Sequence, residues 1–429
     1  MLNVTTVRDE VHTENLLVVG VDVSKDKLDL YAEHTDPSEN RRQELDSQIP
    51  NRSDEIEAML CEFASYAEER GLEGLLVICE PTGGYEDQLF EAARRLGHET
   101  AYANGEHVSK ASVIESGDPG KTDSMDARVI AMIGQMDKTQ DERVLEGEHA
   151  LLRELGRMYE AEDQAVVRAR CRLHDLLRKL FCDLEKGKKL VFSTTGRAVA
   201  KLYGWNPQNI VDDGQERFRQ KMKEKVKGVH EATLETLWEQ ANRSVRQHRP
   251  PAERKMLEER LRQLWADYTR HEKRKEEIAR WMGELFTQLN RKGEAPDPVG
   301  NLDEAMMARL IGESGPLSDF DHWREVLHYY GLNLYERESG TYKGETKISK
   351  KGRSRFRKVL GQAAFALVQG NGPFSTYFER KRAEGMNYWK ALVATMRKLC
   401  KVLYGLATSG GPYDPTRVST CESQYAGAH

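Results

Sequence analysis

The chain has 429 residues, 31% of them charged and 38% apolar, with a formal net charge of −5. That balance suits a soluble, helix-rich protein with two or three cores; no apolar run has the length of a bilayer crossing, and no secretory hydrophobic segment opens the chain. Six cysteines (Cys61, Cys79, Cys171, Cys182, Cys400, Cys421) lack C-x-x-C spacing, which argues against a zinc site or a disulfide scaffold and predicts a reducing, cytoplasmic setting.

In chain order, "LLVVGVDV" at 16–23 is a β-branched run, and "KLDLYAEH" at 27–34 alternates enough to be its hairpin partner. A helix over about 52–70 leads to a buried strand, "LEGLLVICE", that ends at Glu80. "EPTGGYEDQLFEAARRLG" reads as a turn and an amphipathic helix stopped by Gly97, "HETAYAN" as a further core strand, and "GDPGKTDSMDARVIAMIG" at 117–134 as the start of another helix. Strands alternating with helices predict an α/β domain over 1–140. Next, Leu152, Leu155, Tyr159, Val166, Ala169, Leu173, Leu176 and Leu180 follow a 3–4 spacing interrupted by Glu162. Leu257, Leu261, Leu264, Tyr268, Ile278, Met282, Leu285 and Leu289 do the same around His271 and Lys275. This period predicts a coiled coil over 141–298, antiparallel within the chain or between chains, with a polar insertion at 187–250 of unassigned form. "RKGEAPDPVGN" reads as a linker into a mainly helical domain over 299–408, with helices near 302–311, 320–329, 354–369 and 387–406. Residues 409–429 lack an apolar pattern and read as a disordered tail.

Charge is unevenly spread: residues 1–100 hold 23 acidic and 9 basic side chains, whereas 343–401 hold 15 basic and 3 acidic. The basic part suits a polyanion, and the acidic part suits bound cations. Within it, Asp22 closes the first strand, Glu80 closes a later one, and Asp123 with Asp126 opens a helix, sharing one face at i and i+3. Carboxylates gathered at strand ends can hold hard divalent ions such as Mg²⁺, and two ions about 4 Å apart suit in-line phosphoryl displacement. Asp is also a common residue of first helical turns, so the pair alone decides nothing.

"GVDVSKDKLDLY", "VICEPTGGYE" and "GDPGKTDSMDARVIA" resemble the three blocks of the DEDD transposases of the insertion sequence one-ten family, which includes the Piv-type invertases. "HYYGLNLYERESGTYKGETKISKKGRSRFRKVL" resembles the C-terminal transposase domain of that family, so the likeness covers about 15–135 and 300–405. It implies a RuvC-like, RNase H-type N-terminal α/β domain, a central helical coiled coil and a mainly α-helical C-terminal domain. It implies an enzyme that cleaves and exchanges DNA strands, with Asp22, Glu80, Asp123 and Asp126 as the metal-binding set for Mg²⁺ (Mn²⁺ substituting). The family's catalytic serine, which becomes linked to DNA phosphate, falls on Ser339, supplied in cis or by another protomer. The implied partners are donor and target DNA, a structured non-coding guide RNA, and further copies of the chain in a dimer or tetramer joined through the coiled coil. The Gly-rich helical hairpin common before the serine block is only partly kept in "VGNLDEAMMARLIGESGPLSDF".

Lys343, Lys347, Lys350, Lys351, Arg353, Arg355, Arg357 and Lys358 form a basic cluster expected to contact nucleic-acid phosphates. Tyr342, Phe356, Tyr377, Tyr388 and Trp389 accompany it; Phe356 and Trp389 read as core residues, the others as stacking candidates. Ser349 and Ser314 are the alternative nucleophiles. Two other enzymes compete with the recombinase: an RNase H-type nuclease such as a junction resolvase, which needs no serine, and an actin-like ATPase or kinase. The second requires a further Gly-rich phosphate hairpin that the sequence lacks. A non-enzymatic RNA-binding scaffold is the third rival.

Overall fold

The computed structural model describes residues 15–36, 41–116, 123–181, 184, 190–246, 250–335, 338–339, 342–343 and 346–420. The chain divides into two compact units, Met1–Val144 and Leu145–His429.

The first unit is a six-stranded mixed sheet with helices on both faces. Its strands are β1 (Leu16–Val23), β2 (Lys27–Asp36), β3 (Arg41–Pro50), β4 (Gly74–Cys79), β5 (Glu99–Ala103) and β6 (Thr139–Asp141), in the order β3-β2-β1-β4-β5-β6. β1, β2 and β3 pair antiparallel, and β1, β4 and β5 run parallel. An antiparallel three-strand meander extended by parallel crossover strands is the RNase H-type arrangement that the sequence implied. Strand β3, unforeseen in the polar stretch "RRQELDSQIP", exists because the outer edge of β2 offers it a full ladder of backbone partners. The helices are α1 (Ser53–Glu68), α2 (Asp87–Arg95), α3 (Gly105–Ser116) and α4 (Asp123–Gln135).

Two cores sandwich this sheet. Leu17, Val19, Val21 and Val23 of β1, with Leu75, Val77 and Cys79 of β4, pack on Ile56, Leu60 and Phe63 of α1 and Leu89 and Phe90 of α2. The alternate residues Val18, Leu76 and Ile78 face Val108 of α3 and Ala127, Ile130 and Ala131 of α4. Strands apolar on both faces are what buried parallel ladders require.

The second unit is helical apart from short strand pairs. α5 (Gly147–Leu180) and α10 (Pro251–Lys292) lie against each other, the latter about 63 Å long at 1.5 Å per residue. Cross-helix pairs run Glu148–Lys292, Glu162–His271 and Arg170–Tyr268, so the helices are antiparallel, and within one chain. The polar interruptions answer one another: His271 meets Glu162 at 2.6 Å, and Lys275 meets Asp163 at 3.1 Å. The polar insertion folds into α6 (Thr194–Tyr203), α7 (Pro207–Asp213), α8 (Gln215–Lys225) and α9 (Glu231–Val245). Trp205, Phe218 and Leu237 of that segment share a core with Leu173 and Leu261 of the long helices.

The opposite end of the pair carries α11 (Glu304–Ser314), α12 (Trp323–Tyr329), α13 (Ser354–Val368), α14 (Pro373–Ala383), α15 (Tyr388–Ser409) and α16 (Thr416–Thr420). Met282, Leu285 and Leu289 of α10 share one core with Leu310, Leu360 and Leu399, so packing runs across the expected boundary at 299. Two details differ from the sequence reading. A helix, α14, occupies a stretch not assigned to one, and Val418 of α16 is buried within the region expected to be a disordered tail. A single apolar side chain among polar neighbours gives no periodic signal. Residues 421–429 lie outside the described set. No helix among the described residues is long and apolar enough to cross a membrane.

Candidate active site and nucleic-acid interface

The parallel register aligns Val21 with Cys79, so the next residues, Asp22 and Glu80, stand side by side at the carboxyl ends of neighbouring strands. Strands in a sheet lie about 4.8 Å apart, which brings the two acids into one locality. Alternation puts both on the α3–α4 face, since their flanking residues Val21 and Cys79 belong to the opposite core. Glu80 confirms this side directly: its carboxylate oxygen lies 3.5 Å from where a Cβ on Gly105, the first residue of α3, would stand.

The direction of α4 follows from two glycines. A Cβ on Gly134, near its C-terminus, would meet Ile78 Cδ1 and Val18 Cγ1 deep in the sheet. A Cβ on Gly20 of β1 would lie 2.2 Å from the Ala127 carbonyl oxygen and 2.3 Å from the Ala131 nitrogen. The helix therefore rests backbone-to-backbone on β1, and its N-terminal turn, which carries Asp123 and Asp126, points toward the strand ends of Asp22 and Glu80. Acids in a first turn also suit the positive end of the helix dipole.

Carboxylates are the ligands that hard divalent ions take, so the donor set fits Mg²⁺ in kind. Among the described residues no three Asp, Glu, His or Cys side chains form a ready-made group for a metal ion. The Asp123 side chain lies outside the described set. The charge of Asp22 and Glu80 is felt in the sheet: burial first, then Glu86, Glu142, Glu80 and Asp22, holds the Cys79 thiol well above its ordinary range.

Two further acids were not singled out in the sequence. Asp29 is the cross-strand partner of Asp22, on the same face as Tyr31 of the α4-side core, and is buried. It is held by Lys27 at 3.1 Å and by the Gln48 amide. The alternation of "KLDLYAEH" against β1 was the signal that locates it. Glu86 is buried as well; burial would raise its carboxyl, but hydrogen bonds from the Thr82 hydroxyl and nearby backbone N–H groups outweigh this and hold it low. Its field acts on Cys79 and Tyr102, on the side of α1 and α2, and its hydrogen bonds to Thr82 and Gly84 fix the turn after Glu80.

Ser339 belongs to the second unit. It ends β8 (Glu338–Ser339), opposite Tyr342 of β9 (Tyr342–Lys343); the side chains of Ser339, Tyr342 and Lys343 lie outside the described set. The basic segment is tied to the end of α12 through β7 (Leu334–Tyr335), which pairs with β10 (Lys347–Ile348). Gly331 and Gly352, both at positive φ, permit this: a Cβ on Gly331 would lie 2.2 Å from the Lys351 oxygen, and one on Gly352 2.1 Å from the Tyr329 oxygen. Of the alternative nucleophiles, Ser314 is 1% exposed with its hydroxyl donated to the Gly315 carbonyl, which removes it from substrate. Ser349 donates to Asn333.

The basic cluster divides by task. Lys347, Lys350, Lys351 and Arg355 are exposed. Arg357 instead donates to the carbonyls of Tyr330 (2.9 Å) and Gly352 (2.8 Å), Arg353 faces the buried Glu313 at 3.8 Å, and Lys358 pairs with Glu160 of α5. These three hold the segment to its support, a role that charge counting cannot separate from phosphate contact. Phe356 is core as expected, but Trp389 is 72% exposed, because the first turn of α15 seats Tyr388 rather than its neighbour on Phe378.

Comparison with known proteins finds two family matches along the chain. Residues 19–182 match a DEDD transposase model of the IS110 type, described as "Transposase", a span that contains all four acids. Residues 302–379 match "Transposase IS116/IS110/IS902 family", a span that contains Ser339 and the basic segment. No curated protein matches the chain. Among solved structures, RuvC of Thermus thermophilus in complex with Holliday junction substrate is 14% identical, covering 30% of this chain and 99% of its own, with a TM-score of 0.22. A second Thermus thermophilus RuvC structure is 15% identical, covering 30% and 100%, with a TM-score of 0.23. Scores this low carry no further argument. The two matched segments occupy, in the right order, more than half of the sequence, and a transposase is an enzyme that cleaves and transfers DNA; this chain belongs to the IS110 family of DEDD transposases.

Proposed function

We propose that the protein is an RNA-guided, Mg²⁺-dependent DNA recombinase that moves an insertion sequence through serine–DNA linkages. The observation that supports the reading is the shared strand edge: Asp22 and Glu80 lie at the carboxyl ends of adjacent parallel strands on the face that α4 covers, and the N-terminal end of α4 lies toward that edge. These four residues would hold the ion, Mn²⁺ substituting. Bound there, it would neutralise phosphate charge and polarise the phosphorus–oxygen bond under attack.

Ser339 supplies the nucleophile. Its Oγ forms a bond to phosphorus as the bond to the leaving deoxyribose oxygen breaks, and the serine proton ends on that leaving hydroxyl by way of solvent. One phosphodiester replaces another, so no external energy source is needed, and attack by a second deoxyribose hydroxyl releases the serine onto a new strand. The exposed cations of the basic segment suit backbone phosphates of donor and target DNA. Abundant backbone-binding charge without a recognisable base-reading module suits a protein whose sequence choice is delegated to a guide RNA. The long helices α5 and α10 offer the surface through which a dimer or tetramer would assemble.

Asp126→Asn is expected to abolish strand exchange while thermal stability and nucleic-acid affinity stay near wild type; loss of either would mark Asp126 as structural. Trapping the protein on labelled donor DNA with its RNA present, followed by mass spectrometry, is expected to find the phosphate on Ser339. Metal-dependent cleavage that survives in Ser339→Ala would identify a junction-resolving nuclease instead.

A further inference from the structure

The hairpin of α14 and α15 gathers cations around one aromatic ring, almost entirely beyond the segment matched by the second family model. Arg380 and Lys381 of α14 and Lys398 of α15 all stand over Tyr377, at 5.2, 5.6 and 5.8 Å from its centroid. A ring face attracts a cation by about 0.5–1 kcal/mol or more, depending on its exposure, and several positive charges gathered at one ring make a locality that favours an anion. One nearby carboxylate, Glu384, is shared by Arg380 at 3.7 Å and Lys381 at 2.8 Å.

Next to Lys398 on α15, Arg397 is in a different position. Its Nε is buried and has no hydrogen-bond partner among the described residues. Burial lowers the guanidinium's pKa, and the neighbours that favour its charge are a phenol and a thiol, Tyr377 and Cys400, rather than a carboxylate. A partly desolvated guanidinium whose Nε lacks a partner costs folding free energy, and no carboxylate among the described residues is seen to offset it. A phosphate would: it supplies several acceptor oxygens and a full negative charge to arginine and lysine donors together.

We infer that the α14–α15 hairpin holds a nucleic-acid phosphate, with Arg397 and Lys398 as its inner donors and Tyr377 and Arg380 framing it. The inference rests on the proposed function, in that the polyanion is the DNA or RNA of the recombination complex. Trp389, 72% exposed, lies eight residues N-terminal of Arg397 on α15, about 12 Å along the axis. An indole at that reach from a phosphate seat is a platform for an unpaired base, as proteins that track single strands provide.

The test uses the full-length protein and fluorescently labelled oligonucleotides, one arm single-stranded DNA, one duplex DNA and one RNA, titrated by anisotropy at several salt concentrations. Arg397→Met keeps most of the side-chain volume without the charge. It is expected to lower affinity about tenfold in at least one arm and to shrink the slope of log affinity against log salt by nearly one. Its melting temperature is expected to equal or exceed that of wild type, because a half-buried guanidinium with an unpartnered Nε has been removed. The arm that changes identifies the strand. A lower melting temperature with unchanged affinity and slope in every arm would make Arg397 a structural residue and overturn the site, while leaving the proposed function intact. Wild-type protein that binds none of the three in a salt-dependent way would overturn both. Arg380→Gln, at an exposed position, repeats the measurement where folding is not at risk.

Discussion

Replacing Gly20 by alanine asks whether the approach of α4 to β1 places the acids. The added Cβ would stand 2.2 Å from the Ala127 oxygen and 2.3 Å from the Ala131 nitrogen, against about 3.4 Å for an ordinary contact. Both obstacles are backbone atoms, so no rotamer change relieves them, and the helix must withdraw by more than 1 Å. Overpacking of this kind costs about 1–3 kcal/mol. A 1 Å displacement of groups that position a reaction can cost on the order of 100-fold in rate. Gly134→Ala is the control: its Cβ would meet the tips of Ile78 and Val18 at the far end of the same interface, and those tips can move. Strand exchange on element-end DNA with Mg²⁺, read beside melting temperature, is expected to fall about 100-fold in Gly20→Ala and much less in Gly134→Ala at comparable stability loss. Equal activities at equal stability would refute the claim that the α4 N-terminus sets the geometry of the site.

The Glu160–Lys358 pair gives a pH prediction. Burial would raise the Glu160 carboxyl, but Lys358 and Gln164 outweigh it and hold it below its ordinary value. A depressed carboxylate stabilises the fold above its unfolded pKa, near 4.3, and that contribution disappears as pH falls through the folded value. With side-chain exposures of 15% and 44%, the pair is worth about 0.5–1 kcal/mol. Glu160→Gln is therefore expected to melt earlier than wild type at pH 7 and to converge with it as the pH falls below the depressed carboxyl's range; a gap that persists in strong acid would contradict this assignment. Arg357→Met is expected to destabilise by about 1.5–3 kcal/mol, since it removes charged donors from the Tyr330 and Gly352 carbonyls, and to leave the salt slope of nucleic-acid binding unchanged. Arg355→Gln should do the reverse, and chemical denaturation beside anisotropy separates the two.

Legibility in the sequence followed the range of the interactions. β1 and β4 announce themselves as β-branched runs, and α5 and α10 as heptad-like stripes, because each pattern repeats within a few residues. β3 was invisible because its ladder, not its hydrophobicity, makes it a strand. Asp29 carries no local signal of its own, because its place opposite Asp22 is a matter of register. Arg357 and Arg355 look alike in sequence; only the carbonyls of Tyr330 and Gly352, brought together by a tight turn, distinguish a staple from an exposed cation.

Sequence alone determined the family blocks and the alternation of strands and helices up to residue 140, since residue type and short spacing carry those, and it is the source of the proposal of four acids and one serine. The tertiary structure decided that Asp22 and Glu80 end neighbouring strands on one face, and that a glycine lets α4 lie flat enough to bring its first turn there. It also decided which cations are spent on the protein's own carbonyls and carboxylates. The division is physical: side-chain chemistry and local period are written residue by residue, whereas register, close approach and desolvation exist only once distant segments share a volume.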